Sequence, residues 1–388
     1  MNHPQLAYIS FDVVPAPKGA ATHIEAFVKA LAKAFGQTKL ITVSPTGEQC
    51  DRENNETQIS HTALPAIGKT LIHRALHFRQ QLKHQLQDRY FQAIHIRSIY
   101  EGFPIALNKS KYCDRLIFEV NGMPSIELKY RYPDVAGDRE LMHKLLAQEQ
   151  ICLEAADLII TPATVTRDYL LSRAISPDKI RVIPNGVNTE IFTYSPNSSI
   201  STQIIYFGTL SSWQGVNLAA RAIALLNPDI PAQLKVIGTG SKRQVQALKD
   251  LARKLGVPRN VTYLQPLPQN ELVAAIHASD AIVAPLTLND RNLVQGCCPL
   301  KVLEGMATGT PVIASDLPVV RELGRDREHF FLIKPNSVQE IADAIAYLRN
   351  HPSLREKIAT TARRHIETHY TWEQAGTALI SAYRKYWV

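Results

Sequence analysis

No stretch of this sequence is apolar for long enough to cross a bilayer. Its opening, Met1-Asn-His-Pro-Gln5, lacks the charged and apolar regions of a signal peptide. A cytoplasmic protein is therefore expected. Cysteine is sparse: Cys50, Cys113, Cys152, Cys297 and Cys298 make an odd set without paired C-x-x-C spacing. That excludes a disulfide frame and a zinc site as the organising device and makes reduced thiols the default. No strand-like segment is followed by a complete G-x-G-x-x-G, because Gly238-Thr-Gly240 has Arg243 where the third glycine would stand. A dinucleotide dehydrogenase is thereby disfavoured. Basic and aromatic residues are not interleaved and no nucleic-acid-binding motif is present, so nucleic acid is not an expected partner.

What is present is enough apolar material for more than one core. At 388 residues and 45% hydrophobic, the chain suits two domains. It is basic, with a formal charge of +8, and part of the excess is local. Residues 66–89 set Lys69, Arg74, Arg79, Lys83 and Arg89 against Asp88 alone, with His73, His77 and His84 between them. Leu71, Ile72, Ala75, Leu76, Phe78, Leu82 and Leu86 include helical spacings. The pattern predicts a basic amphipathic helix, which either covers a sheet edge or meets an anionic membrane surface, making the protein peripheral there.

Along the chain, strand-like and helix-like patterns alternate. Strands are predicted at 6–10, 39–44, 93–97, 116–120, 158–161 and 180–183, with a helical pattern over 23–35. Pro184-Asn-Gly-Val-Asn188 and Ser195-Pro-Asn-Ser-Ser199 interrupt the pattern and read as a hinge. A second series follows at 203–207, 233–237, 261–264, 281–284, 311–314 and 331–334, and Ser337-x-x-Glu340 is a capping box for the helix after it. Two α/β domains with mainly parallel sheets would face one another across a cleft at the carboxyl ends of their strands.

The stretch 295–318 concentrates the chemistry. Pro299 can open a helix and Gly309 can close it in the left-handed region, leaving roughly three turns between them. Leu303, Met306 and Ala307 share an apolar stripe, and Lys301 and Glu304 share another face that is left open. A helix N-terminus beside a Lys/Glu pair suits an anion and hydroxyl groups.

Several separated motifs resemble the retaining glycosyltransferases of family 4. They are Glu154-Ala-Ala-Asp-Leu-Ile-Ile160 with Ile180-Arg-Val-Ile-Pro-Asn-Gly-Val-Asn188, Tyr206-Phe-Gly-Thr-Leu-Ser-Ser-Trp-Gln-Gly215, Lys301 to Asp316, and Trp372 with the terminal helix. The form Pro299-Leu-Lys-x-x-Glu304 is similar to one branch of that family. The resemblance implies the GT-B architecture: a Rossmann-like acceptor-side domain at 1–190, a nucleotide-sugar-binding one at 200–365, and a helix at 366–388 crossing back to the first. It implies transfer of a sugar from a nucleotide-diphosphate-sugar co-substrate to a glycan, lipid or small-molecule acceptor, with retained anomeric configuration and no catalytic metal.

Carried over by position, Glu304 matches the family's ribose-binding glutamate. Leu300 and Lys301 would face the diphosphate, and Gly19, Gly208, Thr209, Gly238, Gln265 and Cys298 would join the donor site. Lys18, His23, Arg97 and Ser98 would line the acceptor side, and Asn121 stands where many members place a histidine near the reacting sugar. An amide there can hydrogen-bond but cannot act as acid or base. Thr209 and Gln214 replace an Arg/Lys clamp, and Gly296 replaces a glutamate that often contacts the sugar; Lys301, Lys242, Arg243 or Arg291 would have to compensate. These departures keep two alternatives in view: a non-catalytic nucleotide-sugar or glycan-binding member, and a nucleotide-sugar isomerase on the same architecture.

Overall fold

The computed structural model describes residues 5–54, 56–196, 201–226 and 230–387. Residues 1–4, most of the polar run at 195–199, and Val388 lie outside the described residues. The chain divides into two compact units, Met1–Pro184 with Glu373–Val388, and Asn185–Trp372. The change of unit falls at Pro184/Asn185, inside the first of the two segments read as a hinge and before the 190–200 gap between the domain bounds that the family resemblance implied. Residues 366–372, read there with the terminal helix, belong to the second unit.

The first unit is built on strands β1 (Leu6–Val13), β2 (Thr38–Val43), β3 (Cys50–Asn54), β4 (Ile59–Leu64), β5 (Phe91–Ile96), β6 (Cys113–Glu119), β7 (Leu158–Thr161) and β8 (Ile180–Val182). Their order is β3-β4-β2-β1-β5-β6-β7-β8. All neighbours are parallel except β3 and β4, which are antiparallel. Leu6, Ala7, Tyr8 and Ile9 are all at most 1% exposed, the continuous burial of a strand covered on both faces. β1 lies between β2 and β5, where the winding reverses, and such a switch point is where open α/β sheets bind ligands. β1 pairs regularly with β5 only from Leu6 to Ile9, and its register against β2 shifts between Ile9 and Val13. The helix Gly19–Phe35 follows, burying Ile24, Phe27, Val28 and Leu31. The helix Trp372–Trp387 completes this core, with Tyr383 1% exposed and its hydroxyl 2.6 Å from His95 Nδ1.

The basic pattern near 66–89 forms the helix Leu71–Gln85, capped by Thr70, whose side chain accepts from the His73 N–H. Ala75, Phe78 and Leu82 are buried, while Ile72 and Leu76 are each 54% exposed. Arg79 is tied to the Tyr100 and Ile99 carbonyls (2.7 Å each). Among the described residues no helix is long and apolar enough to cross a membrane.

The second unit holds β9 (Gln203–Phe207), β10 (Gln233–Ile237), β11 (Val261–Leu264), β12 (Ala281–Ala284), β13 (Val312–Ser315) and β14 (Phe331–Ile333), in the order β11-β10-β9-β12-β13-β14, all parallel. Its switch point is β9. The helix Leu300–Thr308 joins β12 to β13; Val302, Leu303, Met306 and Ala307 are buried, and Gly309 ends it at φ 79°. A Cβ there would lie 2.6 Å from the Tyr194 ring, so glycine serves both the turn and the packing.

Candidate functional site

In the second unit the loops after β9 and β10 touch. Gly208 (φ 128°) donates its N–H to the Ile237 carbonyl (2.9 Å), and Gly238 (φ 153°) donates to that of Leu264 (3.1 Å). A Cβ on Gly238 would stand 1.8 Å from the Gly208 carbonyl oxygen. Only glycine allows this approach.

Lys301 reaches the same point: a Cβ on Gly208 would lie 3.6 Å from its Cε and 3.7 Å from its Nζ. The lysine is 7% exposed. Its ammonium lies 3.7 Å from the Tyr206 ring centroid and has no hydrogen-bond partner among the described residues. Burial draws its pKa from 10.5 down to about 7, against the opposing pull of Glu304 and Cys297. Glu304, one turn further along the helix, is partly buried and has no hydrogen bond or ion pair among the described residues. Burial raises its pKa from 4.5 to about 7, with Lys301 pulling the other way. The face expected to be open is therefore half enclosed, and the two charges do not neutralise each other by direct contact. Leaving such groups unpaired inside a fold is costly, which fits a site that a ligand completes.

Pro299 stands at the N-cap, one position before the helix it was expected to begin, and gives no side-chain cap. No capping side chain competes for the first N–H groups, at Leu300 and Lys301. Cys298 is buried, its carbonyl accepting from Asn185 Nδ2 (2.8 Å), and burial pushes its thiol up. Thr209 is exposed, with Oγ1 3.1 Å from Ser211 Oγ. Gln265 is exposed just after β11. Of the compensating cations, Arg291 is tied by Nη1 to the Gly296 carbonyl (3.0 Å), and Lys242 and Arg243 are exposed at the start of their helix. Lys301 is thus the interior cation of this group.

In the first unit, three of the predicted acceptor-side and catalytic residues converge on Glu119, which no motif marks. Glu119, 1% exposed at the end of β6, has Oε1 2.8 Å from His23 Nε2 and 3.1 Å from Arg97 Nε. It also accepts from Asn121 Nδ2. Its Oε2 accepts from the Tyr8 hydroxyl (2.7 Å) and lies 2.9 Å from His95 Nε2. Burial would raise this carboxyl, but His23, Arg97 and the hydrogen bonds hold it well below the usual range. Arg97 Nη1 continues to Asp12 Oδ2 (2.8 Å). Asn121, His23 and Arg97 are therefore held by a buried anion. The signal for it is a glutamate within the otherwise apolar run 116–120.

Ser98 has a local structural use. It caps the helix Ile99–Ala106 in a capping box with Glu101: its side chain accepts from the Tyr100 N–H (3.1 Å), and the Ser98 N–H donates to Glu101 Oε1 (2.6 Å). The motif Ser98-Ile-Tyr-Glu101 already carried that message. Lys18 and Gly19 are exposed where the helix Gly19–Phe35 starts, without a side-chain cap. Lys18 is not part of the Glu119 network.

Residues 17–191 match the model of Glycosyltransferase Family 4, and residues 189–365 match that of Glycosyl transferases group 1. The chain belongs to the family 4 and group 1 glycosyltransferases. A D-inositol 3-phosphate glycosyltransferase of Corynebacterium aurimucosum is 28% identical over 255 residues, 61% of this chain and 59% of that protein. The chain thus spans about three fifths of the length of that relative. Among solved structures, sucrose-phosphate synthase from Thermosynechococcus elongatus matches with a TM-score of 0.82 at 20% identity, over 99% of both chains. Anabaena HepE in complex with UDP and glucose matches with a TM-score of 0.76 at 14% identity, over 98% of this chain and 100% of that one. At such identities the likeness is one of fold: two Rossmann-like domains, the GT-B architecture.

Proposed function

We propose that this glycosyltransferase moves a sugar from a nucleotide-diphosphate-sugar to an acceptor with retention of anomeric configuration, the second unit holding the donor and the first the acceptor. One observation carries the reading: an unpartnered buried ammonium, Lys301, stands one helical turn from an unpartnered carboxylate, Glu304, against a glycine-lined switch point. The ammonium and the first N–H groups of the helix suit a diphosphate, and the carboxylate suits the two hydroxyls of a ribose. Gly208 and Gly238 keep the backbone close to that ligand. As the sugar–phosphate bond lengthens, negative charge grows on the diphosphate beside Lys301, where a site shielded from water stabilises it most.

No side chain is assigned as nucleophile. The departing phosphate oxygen takes the acceptor's proton on the same face. Because Lys301 and the helix N–H groups answer the diphosphate charge, no metal is assigned a step. The acceptor class stays open to glycans, lipids and small molecules. The exposed Ile72 and Leu76, beside the exposed Lys69 and Lys83, would suit an anionic membrane surface bearing a lipid acceptor. The missing cations at Thr209 and Gln214 favour the second reading, a binding protein without turnover.

Thermal-shift measurements with uridine, guanosine and adenosine diphosphates and their sugars test the site, since a ligand of the folded state alone raises its melting point. UDP is the first candidate, given the HepE complex. Release of nucleoside diphosphate above the hydrolysis blank excludes the binding-only reading. Unchanged turnover and nucleotide affinity in Glu304→Ala would refute the role given to that residue.

A further inference from the structure

We infer that Asp12 is the acceptor-recognising carboxylate of the first unit, and that it selects an uncharged, hydroxyl-rich sugar or polyol over a phosphorylated one. The inference rests on the proposed sugar transfer. Asp12 lies in the last part of β1, the switch-point strand, within the stretch where β1 has left β5 and shifts register against β2. Irregularities of this kind re-aim side chains beside binding sites. The Asp12 side chain is 41% exposed, yet Oδ2 accepts from both Ser10 Oγ (2.9 Å) and Arg97 Nη1 (2.8 Å). Oδ1 has no partner among the described residues.

The groups behind it are fixed in turn. Ser10 is fully buried, Arg97 is 7% exposed, and Arg97 Nε is held by Glu119, itself gripped by Tyr8 and His95. An exposed ion pair would not justify this arrangement, because such pairs contribute little while burying an arginine with a carboxylate carries a large desolvation penalty. The network makes sense as a mount that presents one free carboxylate oxygen at the binding edge of the sheet. A carboxylate oxygen accepts hydrogen bonds and gives none, so it matches hydroxyl donors. A phosphate ester would bring a second anion against it, and Arg97, the cation that could answer, has its Nε and Nη1 committed. Lys18, outside the network, is the cation nearest in sequence and stands at the following helix start.

The test measures saturable binding of glucose, myo-inositol, glucose 6-phosphate and inositol 3-phosphate to the full-length protein by calorimetry, with and without UDP. Wild type should bind a neutral member more tightly than its phosphorylated counterpart. In Asp12→Asn the arginine keeps the amide oxygen inward and turns the NH2 outward. Affinity for the neutral member should fall roughly 10- to 100-fold, the loss of a hydrogen bond to a charged group. The preference over the phosphorylated counterpart should narrow, which a merely structural role would not cause. Ser10→Ala, which loosens the mount without changing charge, should give a smaller loss in the same direction. Tighter binding of the phosphorylated compounds, no binding of either neutral compound, or wild-type affinity in Asp12→Asn overturns the inference. Failure of the donor reading would show separately, as no UDP-induced thermal shift in wild type.

Discussion

Nucleotide binding should move protons in opposite directions on the two sides of neutrality. In the ligand-free protein Lys301 and Glu304 both have pKa values near 7, one lowered and one raised by burial. A diphosphate beside Lys301 restores its charge, so binding near pH 8 should take up close to one proton, since about 90% of the free lysine is neutral there. Ribose hydroxyls donate to the ionised form of Glu304, so binding near pH 6 should release close to one proton, about 90% of the free carboxyl being protonated. The two effects cancel near pH 7.

Calorimetry of UDP binding in buffer pairs of different ionisation enthalpy reads this directly. Glu304→Gln should abolish the release near pH 6 and keep the uptake near pH 8. The same groups shape stability without ligand. Between 10.5 and about 7 the unfolded chain holds a proton on Lys301 that the folded protein sheds, so its contribution rises with pH through that window. Glu304, whose folded pKa is raised from 4.5 to about 7, contributes stability at low pH that is lost as pH rises through the same interval. Their joint contribution is least near neutrality, and Lys301→Met should stabilise the ligand-free protein there by up to roughly 4 kcal/mol. Binding enthalpies independent of buffer at both pH values would refute the assignment of these residues to the nucleotide.

Gly238→Ala, whose Cβ would stand 1.8 Å from the Gly208 carbonyl at φ 153°, should cost roughly 2–4 kcal/mol in denaturant unfolding and weaken UDP binding. Ser98→Ala should cost about 1 kcal/mol as the loss of a helix cap, with acceptor KM unchanged; a raised KM would return Ser98 to the acceptor site.

The alternation of patterns was legible because buried parallel strands such as Leu6-Ala-Tyr-Ile9 and Ala281-Ile-Val-Ala284 are continuous apolar runs. β3 and β4 carry no such signal: Cys50-Asp-Arg-Glu-Asn54 is a charged edge strand, and Ile59-Ser-His-Thr62 alternates only weakly. The cluster proposed to hold the donor is local in sequence, its parts sitting within one helical turn and at strand-end glycines. The Glu119 network has no local signature, since Tyr8, His23, Arg97 and Tyr383 meet only when strands and helices far apart in sequence pack together. Periodicity assigned Lys301 to a polar face, but the fold encloses it beside Tyr206, a contact that no local pattern records.

The return of the helix Trp372–Trp387 to the first unit sets a schedule on synthesis. Until Tyr383 leaves the ribosome, His95 lacks the hydroxyl that meets it at 2.6 Å, and the surface this helix covers stays wet. The second unit, continuous from Asn185 to Trp372, can close first, although it is translated later. The nascent first half must therefore wait, part-built, for its final segment, and aggregation during that wait is the hazard this topology carries.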